Sequence, residues 1–258
     1  MSTAPTSPDG PSPAEPAPPA GSAASTASTP GPYPATDRTV PTRSADRASY
    51  DRDVVHAILD AGYLCHLGFV RDGAPVVLPT LYARHGERLY VHGSTGSRPL
   101  RGARGAEGLA VCLTVTHIDG LVLAKSAFHH SINYRSVVVH GTAHQVTDPQ
   151  ERALALDAIV DQAVPGRAAD SRPANAKELA ATAVIRLDLH EVSAKIRTGG
   201  PNDEPEDLDL PHWAGVVPVA PAYAAPVPAA HQAPAAPLPG YLAPAGPRGT
   251  ARTEGAAC

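Results

Sequence analysis

Apolar residues between positions 50 and 196 recur with two different periods, and the changes of period divide the chain into elements. In residues 50–61, Val54, Val55, Ile58 and Leu59 share one face at helical spacing, which predicts a helix with Gly62 as its stop. Residues 63–70 and 76–83 are rich in branched and aromatic side chains and flank Asp72-Gly73, a strong hairpin signal. Further strands are predicted over 88–92, 109–118, 121–127 and 134–146, with turns at 84–87 and at Asp119-Gly120. A short helix is expected over 97–106, weakened by Gly102 and Gly105.

The clearest helix start is at Asp148. Asp148 caps the free amides, Pro149 takes the first helical position and Glu151 reaches back, while Leu154, Leu156, Ile159 and Val160 supply the apolar side. Residues 175–181 suit another short helix, and alternation over 182–196 predicts one long last strand. Antiparallel strands joined by tight turns, with helices inserted, predict a mainly β fold: a small closed barrel with flanking helices packed outside. Parallel βα alternation is absent, which argues against a doubly wound sheet.

Composition changes the picture at the two ends. Residues 1–47 and 220–258 are dominated by Pro, Ala, Ser, Thr and Gly. Such segments bury too little apolar area to offset the ordering of the chain, so both read as disordered tails around one domain over 48–219. A formal net charge of -4 gives no general affinity for nucleic acid or an anionic membrane. No apolar run is long enough to span a bilayer and the N-terminus lacks a secretory pattern, so a cytoplasmic location is the expectation. Cys65, Cys112 and Cys258 are widely spaced and form no CxxC pair; Cys65 and Cys112 sit in apolar runs, as small hydrophobes do.

Two polar clusters interrupt the pattern. In the first, the strand through Leu89 and Val91 runs into Gly93-Ser94-Thr95-Gly96-Ser97-Arg98. Small residues let a backbone approach an anion and amides at a helix start donate to it; Ser97 adds a hydroxyl and Arg98 a forked, permanent charge. A plain Gly/Ser loop is the simpler alternative. The second cluster, Ser131, Asn133, Arg135 and Ser136, leads into Val137-Val138-Val139, where a strand mouth can present donors to a polar ligand. A hairpin turn accounts for Ser131 and Asn133 but gives no reason for Arg135 and Ser136. Together the clusters suggest one shared anionic ligand.

Three segments carry a family resemblance: Gly96-Ser97-Arg98 after Tyr90-Val91-His92, residues 128–141, and Lys195-Ile196-Arg197-Thr198-Gly199 with residues 212–218. Over 48–219 the chain resembles the pyridoxamine 5'-phosphate oxidase-like, flavin-binding split-barrel proteins, and more narrowly their flavin-nucleotide-binding and nitroimidazole-resistance branch. The resemblance implies an antiparallel split β-barrel of the FMN-binding type and a homodimer with FMN in a cleft between subunits. It implies that Ser97 and Arg98 hold the phosphate and that His92 and Gly93 lie beside the ribityl chain. Pro79, Thr80 and Leu81 would face the isoalloxazine ring with their backbone, and Asn133, Arg135 and Ser136 would join the same cleft. Where the oxidase proper has Lys after Ser-Arg, this chain has Pro99, so Arg101 or Arg135 would have to replace a cation. The oxidase's C-terminal Arg-x-His pattern is absent too, because Arg197 is followed by Thr198-Gly199.

The expected function is an FMN-dependent oxidoreductase that acts on a small-molecule substrate by hydride transfer at flavin N5. One alternative is an F420-dependent reductase on the same barrel, with Arg98, Arg101, Arg104 and Lys125 as extra cations. Another is a non-enzymatic flavin- or haem-binding module. Haem would draw on His92, His129, His130, His140 or His144, none of which has Cys or carboxylate partners at zinc spacing. His92, beside the loop, is the favoured functional histidine. Tyr134 suits core packing better than stacking, and Trp213 is expected to anchor the C-terminal segment.

Overall fold

The computed structural model describes Met1, residues 31–232 and residues 237–242, with the side chains of Arg98 and Pro99 outside that description. Among the described residues the chain forms β1 (Ala48–Ser49), α1 (Arg52–Asp60), β2 (Leu64–Arg71), β3 (Ala74–His85), β4 (Arg88–Ser94), α2 (Arg98–Gly102) and β5 (Leu109–Leu123). It continues through β6 (Ser131–Gln145), α3 (Pro149–Ala163), α4 (Ala176–Ala181), β7 (Thr182–Asp188), β8 (Glu191–Arg197) and β9 (Gly215–Pro218). The strand order is β1-β8-β6-β7-β4-β3-β2-β5-β9, every pairing is antiparallel, and β5 also pairs with β6. That last pairing closes β6, β7, β4, β3, β2 and β5 into a barrel.

Local chemistry explains most of the elements. Asp72 and Gly73 both take positive φ, 52° and 77°, which turns β2 into β3 with the twist a two-residue hairpin needs. Asp51 accepts from the Val54 amide at the start of α1, and Asp148 accepts from the Glu151 amide at 2.7 Å at the start of α3, with Pro149 in the first turn. Inward residues Leu67, Val111, Leu113, Val115, Val137 and Val139 fill the barrel with Val55, Ile58 and Leu59 from α1. A second, smaller core of Ala83, Tyr90, Val146, Val184, Ala155 and Ile159 lies beneath α3. Cys65 is buried in the main core, which pushes its thiol up to about 12. Cys112 is half-buried, and Cys258 lies outside the described residues.

Several expectations need correction. Asp119-Gly120 is no hairpin; β5 runs straight through, with a register shift between Ile118 and Gly120. The reason is tertiary: Arg135 on β6 clamps Asp119 with two 2.9 Å bonds, and β9 packs so closely that a Cβ on Gly120 would lie 2.9 Å from Val216. The last strand is two strands, β7 and β8, which pair with different parts of β6. Glu151 does not reach back to its own helix start; it accepts from Arg88, Tyr90 and Arg186. On α3 the buried pair is Ala155 and Ile159, while Leu154 and Val160 are exposed. Gly62 has no left-handed φ; a Cβ there would lie 2.8 Å from His117, so close approach requires the glycine.

The N-terminal boundary moves as well. Residues 31–47, expected in the tail, pack on the barrel. Tyr33 is 2% exposed within the main core, its amide donates to Tyr50 O at 2.8 Å, and Thr39 is buried. The Tyr33 hydroxyl donates to Glu87 at 2.7 Å and lies 3.0 Å from His56 Nε2, while Arg52 stacks over its ring. Beyond the expected domain end, Tyr241 donates to Asp170 and accepts from Arg167. The expected tails over 2–30, 233–236 and 243–258 lie outside the described residues.

Candidate functional site: the outer face of the sheet

The first expected cluster is held mostly by its own chain. The Thr95 amide donates to Ala181 O at 2.9 Å, Gly96 to Ser94 Oγ at 3.2 Å and Ser97 to Ser94 O at 2.8 Å. Those amides are therefore committed and form no open anion cradle. Gly93 is required by packing, since a Cβ there would lie 2.6 Å from Leu100. The Arg98 side chain lies outside the described residues. His92 shares its face of β4 with Tyr90, so it points towards the α3 side and away from the barrel interior. Its Nδ1 is buried without a hydrogen-bond partner, and burial lowers its pKa, which keeps the ring neutral.

The second cluster is also satisfied from within. Asn133 is buried, donates to Gly199 O at 3.0 Å and accepts from Arg197. Arg135 is clamped on Asp119, whose hydrogen bonds raise the guanidinium pKa, and Ser136 donates to Lys195 O at 3.2 Å. Within one chain the two clusters are apart. Gln145 donates to Ala103 O beside the first cluster, whereas Asn133 starts the same strand twelve residues earlier, up to roughly 40 Å along an extended chain. A single ligand shared by both clusters of one subunit does not fit this arrangement.

What the strands bring together instead is an outward row. His66 on β2 faces Pro79 on β3 and Thr114 on β5; Thr114 faces Val138 on β6, which faces Ser193 on β8. The next row is Val77, Gly68, Cys112, His140 and Glu191. Leu64 pairs with Leu81 beside them, and Thr80 points the other way, opposite buried Cys65. Paired residues share a side of the sheet, so this face carries exposed Leu64, Val70, Val77 (62% exposed) and Leu81 around an exposed imidazole. Gly68 adds a dimple of bare backbone between Val77 and Cys112.

The histidines differ sharply in what they touch. The His66 side chain has no hydrogen bond or ion pair among the described residues, and neither has that of His140. His130 Nδ1 accepts from the Ala124 amide, and His129 lies 3.6 Å from Glu204. The Cε1 of His144 sits against Gly108. His140 is half-buried beside the Arg38–Glu191 ion pair, and burial followed by Arg38 lowers its pKa. Sequence reasoning passed over His66. The available signal was that β2 is apolar at both alternate positions, which marks a strand covered on two sides. Phe128 is 88% exposed, and Trp213, expected to anchor the C-terminal segment, lies over Gly215 of β9 while remaining 65% exposed.

A closed antiparallel barrel with flanking helices is the architecture of a split barrel. The chain belongs to the pyridoxamine 5'-phosphate oxidase family, whose model matches residues 51–196. It is similar to the structure of the flavocytochrome Anf3 from Azotobacter vinelandii, with 41% identity over 80% of this chain and 95% of that chain and a TM-score of 0.75. It is also similar to the FAD- and haem-binding protein from Mycobacterium smegmatis, with 39% identity over 76% of this chain and 95% of that one and a TM-score of 0.71. No curated protein matches.

Proposed function

We propose that this protein is a flavocytochrome-type electron carrier that binds FAD and haem and works as a homodimer. The carrying observation is the outer face of the sheet, where one unpartnered imidazole, His66, stands among Leu64, Val77, Pro79 and Leu81. A haem needs such a combination: an apolar bed and a ring nitrogen open to the iron. Lys195 and Arg197 lie towards one end of the same face, away from His66, and add positive charge there. The likeness to a flavocytochrome and to a protein named for FAD and haem supports this reading over the expected FMN.

Bound flavin and haem together supply two-electron and one-electron redox chemistry. The chain's own part is binding and exclusion of water. The exposed valines and leucines of the face cover the rings, a second copy of the chain covers what remains, and His66 fixes the iron. An apolar surface of this kind otherwise lies open to water.

The test is the purified full-length chain, reconstituted with FAD and haem. A Soret band and flavin absorbance are expected together, with FAD rather than FMN in the released flavin. His66→Ala removes the Soret band and keeps the flavin, while His140→Ala keeps both. A chain that takes up neither cofactor, or only FMN, overturns the reading.

A further inference from the structure

At the end of β8 the structure has a cavity of about 440 Å³. Arg47, Arg197, Asp46, Gly199, Gly200 and Asn202 line it. Arg47 and Arg197–Asn202 all fall outside the stretch matched by the family model. We infer that it is a phosphate site for the nucleotide half of FAD, an inference that rests on the proposed function.

Charge points to an anion. The Arg197 guanidinium donates to Asn133 and to the carbonyls of Gly199 and Gly200, the last at 3.1 Å. Those bonds fix its plane but none is to a carboxylate, so its charge stays uncompensated. Two of its five donors, Nε–H and one on Nη2, remain for a ligand. Arg47 has no side-chain partner among the described residues, and all five of its donors are open. Both side chains are half-buried, where a guanidinium is held in place better than on an open surface. Gly199 takes a φ of +99°, which bends the chain so that two successive carbonyls turn onto Arg197.

The Asp46 carboxylate refines the ligand. It forms no ion pair with either arginine and can only accept hydrogen bonds when ionised. Two guanidiniums for phosphate oxygens beside one acceptor for hydroxyls match a ribose phosphate. A haem propionate uses only the first of these. By strand spacing, His66 and Arg197 are also three strands and about four residues apart, roughly 20 Å across the sheet, beyond the reach of a propionate on a haem held by His66.

The experiment titrates the cofactor-free, full-length protein with FAD, FMN, riboflavin and haem, and repeats this for Arg47→Ala and Arg47→Glu. Arg47 bonds nothing in the fold, so both variants should unfold at the temperature of the unaltered chain. The unaltered chain should prefer FAD to FMN. Arg47→Ala should weaken FAD about tenfold, the scale of a lost hydrogen bond to a charged group, and Arg47→Glu more, with FMN, riboflavin and haem unchanged. Unchanged FAD affinity in Arg47→Ala overturns the inference and leaves the proposed function standing. An equal loss for FAD and FMN, or a loss confined to haem, overturns it too, by placing the pocket on a shared phosphate or a propionate. An unaltered chain that binds no flavin overturns both.

Discussion

The two faces of the sheet formed by β3, β2, β5, β6 and β8 come from alternate residues of the same strands, yet they solve opposite problems. Inside, Cys65, Leu67, Phe69, Leu113, Val137 and Val139 interlock with α1, and the His117 ring bonds the Ile58 carbonyl of that helix. Outside, Leu64, His66, Val77, Thr114 and Val138 lie on a surface that no other part of the described chain covers. The inner face is a finished core and serves stability. The outer face mixes exposed Leu64, Val77 and Leu81 with polar Thr114, Ser193 and Lys195 around an exposed imidazole.

The largest effect that would break this comparison lies inside. Leu113→Ala should cost about 2–5 kcal/mol, read as a lower midpoint in urea unfolding, because Leu113 is 1% exposed and packed on all sides. A cost near zero would mean that the inner face is not a close-packed core. Next comes Arg135→Ala, at about 1 kcal/mol, discounted because both charged groups are about a third exposed. This variant tests whether the Asp119 bulge is held by its clamp, and loss of the β5–β9 amide protection in hydrogen exchange would accompany it.

On the outer face, Val77→Asp should change monomer stability by no more than about 0.5 kcal/mol while splitting the proposed homodimer in sedimentation. A dimer that survives this variant puts the twofold contact elsewhere. The smallest effect concerns pH and the segment over 31–47. His56 has its pKa lowered from 6.5 by burial and then by Arg84. Glu87 is lowered from 4.5, since the Tyr33 hydrogen bond and Arg52 outweigh its burial. Both folded-state values lie below the ordinary ones, so each favours the docked segment at neutral pH. The His56 contribution fades as pH drops below 6.5 and that of Glu87 below 4.5. Exchange of the Tyr33 amide, corrected for its intrinsic rate, should rise by about pH 5 while that of Val137 does not.

The sequence made legible what is decided within a few residues. Asp72-Gly73, the Asp148 cap and the apolar alternation of β2 and β6 all act locally, and the barrel class followed from them. Asp119-Gly120 misled because the residue that straightens it, Arg135, stands sixteen positions away on another strand. The break between β7 and β8 depends in the same way on β6 pairing twice. For the site, Asn133 and Arg135 were conspicuous as polar residues, but their partners Gly199 and Asp119 exist only in the fold. Tyr33 was hidden by its composition, a single aromatic in a run of Pro, Ala and Thr.

The sheet ends on both flanks in stubs. β1 has two residues and β9 has four, and they cover the outermost rims of β8 and β5. Such stubs offer an incoming chain very few free backbone groups to extend. A chain trimmed to residues 51–196 would discard both and bare two long ribbons to their own kind. Its first failing would then be clouding of the solution through runaway self-association, well before any fault in redox chemistry.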